Sequence, residues 1–98
     1  MEENKLRPMG MLLDNTGLKE LILEVAKKQF GEREFKRRPL MLAVEKEVRA
    51  RGFWTQDDDH LSSSVGVKSK GLANIDWRIT NLKDEGRLNY LGRDRWHV

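Results

Sequence analysis

An α+β fold, three helices followed by a small antiparallel sheet on one core, is the architecture this sequence predicts. Apolar residues recur at helical spacing in three separate stretches. Residues 87–98 instead alternate apolar and polar on both sides of a glycine-bearing turn, the pattern of a hairpin. With 98 residues, 38% hydrophobic and 36% charged, the chain can enclose one modest core beneath an ionic surface.

Residues 1–14 mix charges with Pro8 and Gly10, show no period and are read as a flexible tail, which leaves 15–98 as the domain. The first helix is expected from Thr16, whose hydroxyl can cap the first amides. Leu18, Leu21, Ile22, Val25, Ala26 and Phe30 form its stripe, and Gly31 is placed to close it in a left-handed conformation. Phe35, flanked by charges in Arg33-Glu34-Phe35-Lys36-Arg37, suits a short edge strand. Pro39 then suits the first turn of a second helix over 39–51, with Leu40, Met41, Val44 and Val48 buried and Gly52 as its stop.

Between 53 and 69 the chain turns polar, with Asp57-Asp58-Asp59 and Ser62-Ser63-Ser64 and only Leu61, Val65 and Val67 as anchors, so a long loop is expected. The helical period returns at Lys70: Leu72, Ile75, Ile79 and Leu82 share one face, and Gly86 ends the helix. An isolated hairpin is marginal, so the Phe35 segment is expected to add a third strand to the C-terminal one. Helix, short strand, helix, helix, hairpin is the order of a winged helix-turn-helix domain, with the third helix for recognition and the hairpin as wing.

Composition narrows the function classes. Without cysteine there is neither a disulfide framework nor a thiolate metal site, and no apolar run is long enough to cross a bilayer, so a cytoplasmic protein without membrane contact is expected. Residues 1–59 hold 12 basic and 12 acidic side chains, whereas 60–98 hold 7 and 4, which places the whole formal excess of +3 in the C-terminal part. That local excess suits a polyanion. No P-loop, no GxGxxG turn and no Gly-x-Ser-x-Gly nucleophile setting is present, and His97 is penultimate. The chain therefore reads as a binding module rather than an enzyme, with no cofactor.

Placing residues about 100° apart on the third helix turns Lys70, Asn74, Trp77 and Asn81 outward, with Arg78 at the flank. Asparagine and arginine can make paired hydrogen bonds to adenine and guanine edges, and lysine can meet a phosphate. The other reading is an ordinary solvated helix face. Trp77 either touches a partner or packs beneath the loop or wing, and Trp54 has the same two readings, with core burial favoured. In and beside the wing, Arg87, Arg93 and Arg95 suit phosphates or a minor groove, Arg93 at the tip, unless they only prevent edge-to-edge pairing. Lys36-Arg37-Arg38 before the second helix could hold an anion or be a solvated charge run. Asp57-Asp58-Asp59-His60 has hard-ligand chemistry, yet consecutive residues converge poorly on one ion, and solubility or repulsion of DNA is the simpler role.

Residues 70–98, KGLANIDWRITNLKDEGRLNYLGRDRWHV, resemble the close of winged-helix domains, with Leu82, Gly86 and Leu88 in a Leu-x-x-x-Gly-x-Leu pattern. Trp77-Arg78, Asn81-Leu82-Lys83, Gly86 and the close from Gly92 to Trp96 are similar to the N-terminal domain of Mrr-type restriction endonucleases. The resemblance implies double-stranded DNA as partner, in regulation or in a restriction-like setting. Those endonucleases carry a separate nuclease domain for which this chain has no room, so cleavage is not implied; it is either a stand-alone binder or part of something longer. The alternative expectation is a protein-interaction module using the Trp77 face. A homodimer is also open, although the first helix offers no second apolar stripe beyond Leu23.

Overall fold

The computed structural model describes residues 11–60 and 69–98. Helix α1 (Asn15–Phe30), helix α2 (Arg37–Ala50), a 3-10 turn (Gln56–Asp59), helix α3 (Lys70–Asp84) and strands β1 (Asn89–Gly92) and β2 (Arg95–His97) follow in the predicted order. The α+β architecture read from the sequence is the one observed: three helices packed on one another and a C-terminal hairpin.

One side of each helix is sealed. Leu18 and Ile22 of α1, Leu40, Val44 and Val48 of α2, and Ile75, Ile79 and Leu82 of α3 have no solvent exposure, and each such side chain contributes roughly 1.5–3 kcal/mol by leaving water. An aromatic layer continues this core into the wing. Phe30 stacks on Phe35 at 4.7 Å between centroids, and Trp96 lies 4.8 Å from Tyr90. Phe35 and Trp96 exchange both backbone hydrogen bonds, at 2.9 and 2.8 Å. The expected third strand is thus a single bridge at Phe35, beside an antiparallel hairpin that pairs Tyr90 with Trp96.

Several boundaries move. Asp14, not Thr16, caps α1: its Oδ1 accepts from the Gly17 amide at 2.7 Å, and Thr16 becomes a helical residue. Of the expected tail, 1–10 lie outside the described residues, whereas Met11 and Leu13 pack against the core and the Leu12 amide donates to the Phe53 carbonyl at 2.8 Å. Helix α2 begins at Arg37, two residues before Pro39, which remains in the first turn where its missing N–H removes no intrahelical bond. The polar stretch after Phe53 contains an ordered turn, because the buried Asp58 carboxylate accepts from both the amide and the hydroxyl of Thr55. The anchors Leu61, Val65 and Val67 lie outside the described residues. At the hairpin tip Arg93 and Asp94 both have positive φ, 53° and 57°, so the two-residue turn has the backbone twist that matches paired strands. Gly31, Gly52 and Gly86 also take positive φ at the helix ends.

Candidate nucleic-acid interface

Helix α3 turns Trp77 outward, 62% exposed. The indole is therefore left largely open beside the wing, and residues 61–68 of the expected loop lie outside the described residues. Asn74 and Asn81, one turn to either side on the same face, are half-buried, and neither side-chain amide has a hydrogen-bond partner among the described residues. Ala73 and Thr80 border them. Lys70 also points outward but lies 3.4 Å from Asp57, so its charge is partly answered within the protein.

Arg78 departs from the expectation of an outward contact. It is only 8% exposed, its Nε has no hydrogen-bond partner among the described residues, and burial alone lowers its pKa. The angular position that places it at the flank also sets it beside Gly71 and Leu82, both buried, on the side of α3 that meets the protein body. Gly71 there lies directly beneath the Trp54 ring. Trp54 is packed against the core, as the sequence favoured; the Arg49 guanidinium covers its ring at 4.3 Å and its Nε1 donates to Asp59.

The arginines in and beside the wing divide. Arg87 precedes β1 and pairs with Glu20 at 2.6 Å and Glu85 at 3.8 Å; Arg95 pairs with Glu34 at 3.2 Å. That hydrogen bond and charge hold the Glu34 carboxyl below the ordinary glutamate range. Arg93 stands exposed at the tip with no ion-pair partner among the described residues.

The residue that sequence reasoning missed is Asp94. Its Oδ1 accepts from the Arg37 amide, 3.1 Å, and from Trp96 Nε1, 3.1 Å, so the wing tip caps α2. The anion at the Lys36-Arg37-Arg38 helix end is thus a carboxylate of the protein itself. Arg37 in turn crosses to α3, where Nε meets Asp76 Oδ1 at 2.5 Å and Nη2 meets the Asp76 carbonyl and Thr80 Oγ1. Lys36 and Arg38 flank it, exposed and without an acidic partner among the described residues. No sequence pattern marks Asp94, because Arg37, whose amide it caps, is 57 positions away.

Between α3 and the wing these side chains leave an open groove of about 180 Å³ lined by Arg37, Thr80, Lys83, Tyr90, Asp94 and Trp96. Lys83 Nζ stands 5.9 Å over the Tyr90 ring and 3.8 Å from Asp84. A surface runs from the indole of Trp77 across Thr80 to the tip at Arg93, with cations at its wing end.

The three consecutive aspartates do not share a task. Asp57 meets Lys70 and His60, Asp58 closes the 3-10 turn, and Asp59 accepts from Trp54 and Arg49. The hydrogen bonds from Trp54 and then Arg49 hold the Asp59 carboxyl below the usual aspartate range. Among the described residues no cluster of metal-binding side chains occurs, and no helix is long and apolar enough to cross a membrane. Compared with known proteins, the chain matches no family model, no curated protein and no solved structure.

Proposed function

We propose that this is a non-catalytic, cytoplasmic DNA-binding domain that sets α3 in the major groove of a duplex and its wing on the backbone or in the minor groove. The observation that carries this reading is the placement of unpaired charge. Much of the basic excess of the C-terminal part is answered internally, through Lys70, Arg87 and Arg95. Lys36, Arg38 and Arg93 have no acidic partner among the described residues, and the Asp94 cap on Arg37 brings all three to the junction of wing and α2. Free cations held by a rigid scaffold beside an exposed helix face suit a phosphate backbone. The likeness of residues 70–98 to the Mrr-type N-terminal domain points the same way, and a link to restriction or regulation rests on that likeness alone.

Titration of a labelled mixed-sequence duplex at two salt concentrations tests the reading. Binding near ~10⁻⁴–10⁻⁶ M that weakens with salt is expected. The Lys36→Ala, Arg38→Ala, Arg93→Ala triple variant should bind more weakly and flatten the salt dependence by about one unit of slope for each phosphate it no longer neutralises. No binding even at low salt overturns the proposal.

The 62% exposure of Trp77 favours a second reading, a protein-docking surface centred on the indole. In that case Trp77→Ala abolishes partner binding, the triple variant leaves it intact, and added salt changes it little.

A further inference from the structure

We infer that α3 selects A·T base pairs through the major groove; this rests on the DNA-binding reading and names what the same surface would recognise. The outward face of α3 is a short list: Ala73, Asn74, Trp77, Thr80 and Asn81, with Lys70 and Asp84 at its ends. Both asparagine amides lack partners among the described residues, so each keeps its donor and acceptor for a ligand. An amide presents a paired donor and acceptor that matches adenine N7 and N6, whereas guanine N7 and O6 are both acceptors and call for arginine or lysine.

The decisive feature is what this face lacks. Arg78, the one arginine of α3, is only 8% exposed and lies on the side of the helix that carries the buried Gly71 and Leu82. The Lys70 charge is partly answered by Asp57 at the first residue of the helix, and Lys83 leans over Tyr90 toward the wing. No guanidinium therefore stands among the outward residues of α3 to read guanine. Trp77, with the methyl groups of Ala73 and Thr80 beside it, presents an apolar surface between the amides, and the only apolar group that the four bases offer in the major groove is the thymine methyl. Amide, indole, amide on successive turns fits a run of adenine and thymine. Lys36 and Arg38 at the start of α2 and Arg93 at the wing tip, without acidic partners among the described residues, would hold the register without reading sequence.

A wing arginine in a narrow minor groove also favours A·T tracts, so the test must separate the grooves. Three unlabelled duplexes of equal length compete for the protein against a labelled A·T-centred probe: one A·T-centred, one G·C-centred, and one with inosine–cytosine pairs at the centre. Inosine presents the major-groove pattern of guanine and lacks the minor-groove amino group, like adenine. The A·T competitor should win over both others by about tenfold, the scale of one paired base contact. The Asn74→Ala, Trp77→Ala, Asn81→Ala variant should lose the preference, its affinity for the A·T duplex falling to that for the G·C duplex. If the inosine duplex competes as well as A·T, the wing is the reader and the inference fails. Equal competition by all three, or a G·C preference, also overturns it while leaving the DNA-binding reading in place. Binding to none of the duplexes at low salt ends both.

Discussion

At the residue scale, two positions on α3 make opposite demands. Arg78 keeps its Nε–H away from water with no acceptor among the described residues, a cost of roughly 1–3 kcal/mol for a buried donor. Arg78→Met retains an unbranched stem and removes the donor. It is expected to raise stability by about 1 kcal/mol, which shifts the midpoint of thermal unfolding by about 4–8 °C in a domain this size. DNA affinity should not change; a fall in affinity would restore Arg78 to the interface. Gly71 is the reverse case, because a Cβ there would sit inside the contact distance of three Trp54 ring atoms. Gly71→Ala should cost about 1–3 kcal/mol by overpacking and release Trp54 from Arg49 and Asp59, read as a changed tryptophan emission and an earlier urea midpoint.

At the scale of elements, the hairpin and α2 are stabilised together by one carboxylate. Asp94→Ala leaves both the Arg37 amide and Trp96 Nε1 without their acceptor, and about 1–2 kcal/mol should be lost in denaturant unfolding. An unchanged midpoint would show that water replaces the cap at no cost. The 3-10 turn carries a pH dependence of known sign. The folded-state pKa of Asp59 lies below its ordinary value, so its contribution is present above the unfolded pKa of about 4. It is lost as pH falls through the folded value. Asp59→Asn should therefore lower stability at neutral pH, and the gap from wild type should close under acid. A gap that is constant with pH would exclude the carboxylate as its source.

At the scale of the molecule, the three helices and the wing root share one core, in which Leu40, Ile79, Leu82 and Leu88 are each at most 1% exposed. A domain built on one shared core should unfold in a single transition, with far-UV dichroism and tryptophan fluorescence losing signal at the same midpoint. Ile79→Ala, at the centre of α3, should cost about 2–5 kcal/mol and move both signals together. Separate midpoints would mean that the hairpin melts apart from the helices, and that the Asp94 and Phe35 contacts do not couple them.

The helices, the hairpin and the outward direction of Trp77, Asn74 and Asn81 were legible in the sequence because helical period and strand alternation are local, repeating every few residues whatever the rest of the chain does. Tertiary structure decided the charges. Arg87, Arg93 and Arg95 look alike along the chain, yet Arg87 and Arg95 meet carboxylates on α1 and beside Phe35, whereas Arg93 meets none among the described residues. The flank position of Arg78, beside Leu82 of the buried stripe, left both exposure and burial open, and the outcome depended on what packs against that side of α3. Asp94 gave no sign of capping α2, because an ion pair or a cap across dozens of residues depends on where the fold delivers both partners. Periodicity states which face a side chain occupies; only packing states what stands opposite it.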